Sequence, residues 1–137
     1  MLFDRYCYKI INVIENQIGT LIVDCAYKVH KNLGPGLLES TYEACLLFEL
    51  INIGLSAISQ KPVPVVYNGV KLNAGYRIDI LVERKVIIEI KSIEALNPVH
   101  MAQIITYLKL SDCKLGYLIN FNVKYFKSGI RRVVNNL

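Results

Sequence analysis

The chain has 137 residues and carries 16 Lys and Arg against 11 Asp and Glu, a formal net charge of +5. That length suits one domain, residues 1–137, with residues 1–16 set apart as an N-terminal extension, and the charge allows a polyanionic partner without demanding one. No run reaches the roughly 20 apolar residues of a membrane span, because Asp24, Lys28, Glu43 and Glu49 interrupt the longest ones, and Met1-Leu2-Phe3-Asp4-Arg5 lacks the basic-then-apolar order of a secretion signal.

Tyr8 to Ile14 reads equally as a strand or as the lead-in to a helix. From Ile18 the pattern is helical: Ile18, Leu21, Ile22, Cys25 and Val29 recur on one face, and Gly34-Pro35-Gly36 ends the helix. A second helix runs from near Leu37 to about Ile53, where Gly54 stops it. The period then becomes two. Val63 to Tyr67 reads as a strand, Asn68-Gly69 as a tight turn and Val70 to Leu72 as the return. Tyr76 to Val82 and Val86 to Ser92 form a further pair, joined by Glu83-Arg84-Lys85. Pro98 opens a helix to about Leu110, Leu115 to Phe121 is an apolar strand, and Ile130 to Val134 is a short edge strand. A mixed sheet covered by helices, an α/β or α+β sandwich, is the natural packing.

Cys7, Cys25, Cys45 and Cys113 are far apart and form no Cys-x-x-Cys pair, which disfavours a zinc knuckle. They suit a reducing cytoplasm. Apolar residues make up 53% of the chain, a surplus that leads us to expect a homodimer.

The stretch Tyr76 to Lys91 carries charges where core strands should have none. Asp79 lies between Ile78 and Ile80, and Glu89 and Lys91 straddle Ile90 on one strand face. Burying two carboxylates among apolar strands is costly without compensation. A divalent cation compensates them, and magnesium needs only one or two protein carboxylates because it retains waters. Asp79 and Glu89 are the candidate ligands, the carbonyl of Ile90 is a further one, and Lys91 is placed to serve a water or a phosphate. The alternative at this point is an ordinary ion pair of Lys91 with either acid on a solvated face. Glu39 in the first turn of the second helix reads by itself as an acid favoured by the helix dipole. Gln103 and Tyr107, four apart, share a helix face and alone read as a polar and aromatic stripe. Leu38, Tyr42, Cys45, Leu46 and Glu49 mark the spacing of the second helix. His30 and His100 have no second histidine at ligand spacing and read as structural or supporting residues.

Several blocks in order carry a resemblance: Leu33-Gly-Pro-Gly-Leu-Leu-Glu-Ser-Thr-Tyr42, Pro62-Val-Pro-Val, Gly75-Tyr-Arg-Ile-Asp79, Ile88-Glu-Ile-Lys-Ser92, Pro98-Val-His-Met-Ala-Gln103, Leu118-Ile-Asn-Phe-Asn-Val123 and Gly129-Ile-Arg-Arg132. From about Ile18 to Val134 the chain resembles the GxxExxY family, small bacterial and archaeal proteins of the PD-(D/E)XK nuclease superfamily. The resemblance implies a restriction-endonuclease-like αβββαβ core. It implies Glu39 as the first-helix acid, Asp79 as the single aspartate (with Ile78 in place of the proline that names the motif), and Glu89-Ile90-Lys91 as the acid-x-lysine signature. Gln103 and Tyr107 resemble the Q-x-x-x-Y element of recombination-type exonucleases in the superfamily.

The leading reading is a magnesium- or manganese-dependent deoxyribonuclease. Asp79 and Glu89 bind the metal, Glu39 completes the site, and Lys91 serves the attacking water. The competing reading is a non-catalytic module that keeps the fold and binds nucleic acid or a protein. The intact acids and lysine argue against it, and the small size argues for it. For the DNA partner we expect phosphate contacts by Lys85, Lys109, Lys114, Lys124, Lys127, Arg131 and Arg132, since no helix-turn-helix, zinc finger or aromatic stacking motif is evident.

Overall fold

In the computed structural model, residues 2–137 are described, with side chains described from residue 14 onward; Cys7 and most of Tyr8 to Ile14 fall outside that range of side chains. Helix α1 (Leu2–Leu33) runs unbroken past residue 16, so Tyr8 to Ile14 belongs to a helix. Its buried face is Ile18, Ile22, Cys25, Ala26 and Val29, the helical spacing expected except that Leu21 is exposed and Ala26 is buried. Gly34 and Gly36, with φ of 67° and 98°, turn the chain in a conformation that L side chains rarely adopt. Helix α2 (Glu39–Asn52) follows, burying Tyr42, Leu46 and Leu50.

The strands are β1 (Ala57–Pro62), β2 (Val65–Tyr67), β3 (Val70–Leu72), β4 (Arg77–Val82) and β5 (Val86–Lys91). Then come α3 (Pro98–Ser111), β6 (Leu115–Asn120), the short α4 (Phe126–Gly129) and β7 (Ile130–Val134). The main sheet has the order β1-β4-β5-β6-β7. Among the described residues only β5 and β6 pair in parallel, with α3 as the crossover that such a pair needs.

One strand of the main sheet, β1, lies outside the sequence reading. The hairpin of Val63 to Leu72 does not extend the main sheet. Asn68-Gly69 does form the tight turn, with φ of 49° and 75°, yet β2 and β3 pair only with each other. The sheet partner of β4 is β1, whose Ser59, Gln60 and Lys61 hide the strand among polar residues. With the hairpin as an insertion, the αβββαβ order holds through α2, β1, β4, β5, α3 and β6.

Helices cover both sheet faces. On one, α1 and α2 pack on Ile80, Val82, Val86, Ile88, Ile90, Tyr117 and Ile119. On the other, Ile104, Tyr107 and Leu108 of α3 pack on Ile78, Leu81, Ile87 and Leu118. No helix among the described residues is long and apolar enough to cross a membrane.

Candidate metal centre and nuclease site

The β4–β5 ladder pairs Val82 with Val86, Leu81 with Ile87 and Ile80 with Ile88, and stops there. Beyond it β4 stays with β1, and β5 stays with β6. The two strands therefore part at Asp79 and Glu89. The in-out alternation of β4 slips at the same place: Ile78 and Leu81 join the α3-side core, whereas Ile80 and Val82 join the opposite one.

The two carboxylates occupy the fork. The Asp79 N–H donates to Glu89 Oε1 at 3.2 Å, and the Ile90 N–H donates to Asp79 Oδ2 at 2.8 Å. Acid side chains thus replace the backbone acceptors that the parted ladder no longer supplies. Glu89 is buried. Burial and then the Asp79 charge push its carboxyl up to about 8. Burial also raises Asp79, against the opposing effects of the Ile90 N–H and Lys91. Two acids this close to each other in a poorly solvated place retain a proton unless a cation replaces it.

Lys91 follows on the same face of β5 as Glu89, at the rim of the site. No ion pair within 4.0 Å joins Lys91 to Asp79 or Glu89 among the described residues, although its charge acts on both carboxyls. Gln103 donates from Nε2 to the Tyr107 hydroxyl at 3.1 Å. Tyr107 is raised by burial and then by the charge of Glu89.

Glu39 reaches the site from α2. Its Oε1 accepts from the Ser92 N–H at 3.2 Å, while Ser92 Oγ donates to the Leu37 carbonyl at 2.6 Å. Tyr42 positions this helix start: its hydroxyl donates to the Gly34 carbonyl at 2.6 Å and accepts from the Leu37 N–H at 3.1 Å. Its ring, fully buried, stacks on Phe121. Tyr42 thus holds the turn that carries Glu39 and does not line the cavity.

A cavity of about 560 Å³ opens here, lined among others by Glu39, Glu43, Gln60, Asp79, Ile90 and Ser92. Glu43 and Gln60 were missed in the sequence. Gln60 Nε2 donates to Glu43 Oε1 at 2.8 Å and to Asp79 Oδ1 at 3.4 Å. Burial raises Glu43, and the charges of Asp79 and Glu39 add to that. Glu43 had a signal, since it follows Glu39 by one helical turn. Gln60 had none, because it sits in the unread β1 with a left-handed φ of 56°.

Both histidines make contacts that hold the fold. His30 Nε2 donates to the Val123 carbonyl at 2.7 Å and its ring lies by Phe126. His100 Nδ1 accepts from the Asn97 N–H at 3.1 Å and completes the cap of α3. Buried Asn120, also passed over, ties down the chain after Lys91: its side chain binds both backbone groups of Ile93.

Among the described residues, no three His, Cys, Asp or Glu side chains converge closely enough to cage a metal ion. The donor chemistry nevertheless fits a hard divalent cation. Every available side-chain ligand is a carboxylate, two of them are adjacent and short of positive charge, and magnesium completes its shell with water.

The expected phosphate contacts divide between the two ends of the sheet. Lys85 in the β4–β5 turn, Lys109 in the last turn of α3 and Lys114 before β6 lie at the end opposite Asp79 and Glu89. Arg131 donates to the carbonyls of Ser128 and Ile130, and Arg132 to Asn16 Oδ1. At the site end stand Lys124 and Lys127, which follow β6, together with three cations outside the expected set: Lys61, Arg77 and, on the hairpin, Lys71.

Compared with known protein families, residues 16–133 match the PD-(D/E)XK nuclease superfamily. The chain belongs to that superfamily. Its five-stranded mixed sheet flanked by helices is the restriction-endonuclease-like arrangement. Membership suggests nuclease activity and nucleic-acid binding, and nucleases of this superfamily typically use divalent metals. Comparisons with curated proteins and with solved structures each gave no match.

Proposed function

We propose that this PD-(D/E)XK protein is a magnesium- or manganese-dependent deoxyribonuclease of the GxxExxY group. Gly36, Glu39 and Tyr42 support the group assignment. The observation that carries the activity is the Asp79–Glu89 pair in the strand fork, with Lys91 beside it and outside any ion pair with them. Asp79, Glu89 and the Ile90 carbonyl would hold the ion, with Glu39 completing its surroundings. When bound, the ion supplies Lewis acidity at the scissile phosphate. Lys91 steadies the attacking water and the charge that develops on the phosphate. Gln103 and Tyr107 fix the Glu89 side of the site, and Gln60 fixes the Asp79 side. The free thiols of Cys25, Cys45 and Cys113 suit a cytoplasmic setting.

The test is incubation with a panel of DNA and RNA substrates in magnesium or manganese. Cleavage should require the metal, stop with chelator and be lost in Asp79→Ala. Activity that survives in Asp79→Ala is contamination and removes the proposal. A second reading, a non-catalytic binding module, draws on the lack of a third carboxylate converging on the pair among the described residues. Calorimetry separates the two: a module without chemistry should show the same weak manganese response in the parent, Asp79→Ala and Glu89→Ala proteins.

A further inference from the structure

The β2–β3 hairpin has no evident structural purpose. It has three residue pairs, and among the described residues its strands bond to no other strand. A lone two-stranded ribbon is marginal in water, and this one leaves apolar side chains outside: Val66, Val70 and Leu72 are exposed, and Tyr67 at the turn is 66% exposed. Its root is firm. Pro62 pairs with Arg77, the Val63 N–H donates to the Tyr76 carbonyl at 2.9 Å, and Val63 is buried in the α3-side core. The ribbon therefore leaves the body from the strand ends that carry Gln60 and Asp79.

Its charge is one-sided. From Lys61 to Ile78 there are three cations, Lys61, Lys71 and Arg77, and no acid. The neighbouring cavity is lined by Glu39, Glu43 and Asp79, which repel a phosphodiester. An anionic chain needs a cationic approach to reach them. Tyr76, 47% exposed, stands edge-on to Tyr107 with ring centroids 6.1 Å apart, and the charge of Glu89 acts on Tyr107. Exposed rings and cations thus run from the hairpin tip to the carboxylates.

Resting on the nuclease reading, we propose that the hairpin is the arm that holds a single-stranded stretch of nucleic acid, with bases against Tyr67 and Tyr76 and phosphates against Lys71, Lys61 and Arg77. Exposed rings favour unpaired bases, because a duplex covers its base faces. Charge complementarity favours this occupant over a protein partner.

The test uses the full chain in calcium, with fluorescence anisotropy on a labelled single-stranded oligonucleotide and on a blunt hairpin duplex of equal length. Tyr67→Ala should weaken single-strand binding about tenfold, with Tyr67→Phe restoring it, and leave duplex binding unchanged. Lys71→Gln should lower the salt slope on single strands by about 0.7. Equal losses on both substrates, or no loss on either, overturn the arm. So does a change of oligomeric state in Tyr67→Ala with binding intact, which would make the ribbon a protein contact. Cleavage is scored separately in magnesium. A protein that cleaves, but does so regardless of Tyr67, retains its nuclease assignment and loses the arm. One that binds through Tyr67 and never cleaves retains the arm and loses the nuclease.

Discussion

Glu89 ionises near its ordinary 4.5 in the unfolded chain, but in the fold burial and Asp79 push it up to about 8. The metal-free folded state therefore binds a proton that the unfolded state releases, so stability is full below pH 4.5 and declines as pH rises toward 8. The loss should be on the order of a few kcal/mol, since each tenfold change in proton affinity is worth about 1.4 kcal/mol. Thermal melts in chelator should reveal this slope, and Glu89→Gln should flatten it; a parent slope of the opposite sign would contradict the buried acid. Manganese should reverse the parent's loss at pH 8, because the cation binds only the folded pair. Lys91 makes a separate prediction. Lys91→Ala should fold, lose cleavage and keep most of its manganese affinity by calorimetry, since an ammonium is no metal ligand. These three residues were readable in the sequence because charge inside an apolar strand is conspicuous. Glu43 offered only its one-turn spacing from Glu39, and the bonds of Gln60 depend on a fold that its neighbours do not announce.

Among the elements, α2 shows why a motif containing Gly36, Glu39 and Tyr42 has that spacing. The glycines supply the left-handed turn, one helical turn separates Glu39 from Tyr42, and the Tyr42 hydroxyl closes back on Gly34 and Leu37. Tyr42→Phe keeps the ring on Phe121 but leaves the Gly34 carbonyl and the Leu37 N–H short of a partner, a loss of about 1–3 kcal/mol. A lower melting temperature with faster amide exchange at Leu37 should follow; an unchanged Leu37 rate would argue that the turn holds itself. Helix α3 and strands β4 to β6 could be read because each pairs a clean apolar pattern with a boundary residue such as Pro98. Strand β1 could not. Its pattern is mixed, one residue has a left-handed backbone, and its place in the sheet comes from β4 rather than from its own side chains. The hairpin misled in the opposite direction, since it reads as a strand pair and is one, but outside the main sheet.

At the scale of the whole molecule, the surplus of apolar residues did not all go inside: Phe48 and Ile51 of α2 stay exposed. The homodimer expected from composition should appear as twice the chain mass in light scattering, with Phe48→Glu shifting it toward the monomer. Charge makes the sharper test, because a chain of net charge +5 says nothing about where the charge acts. The topology puts Lys85 and Lys109 at the far end of the sheet, and Lys61, Lys71 and Arg77 at the end where Asp79 and Glu89 lie. Counterion release counts only cations that meet phosphates, at about 0.7 in slope for each contact on a single strand. Replacing Lys85 and Lys109 with Gln should therefore leave the logarithmic salt dependence of binding in calcium unchanged. Replacing Lys61, Lys71 and Arg77 should flatten it by about 2, near three contacts' worth. The variants lose two and three charges, so overall attraction alone would predict losses from both in about that proportion. If the far-end variant flattened the slope in that proportion to the site-end one, binding would follow net charge, and the nucleic acid would have no fixed path across the site end of the sheet.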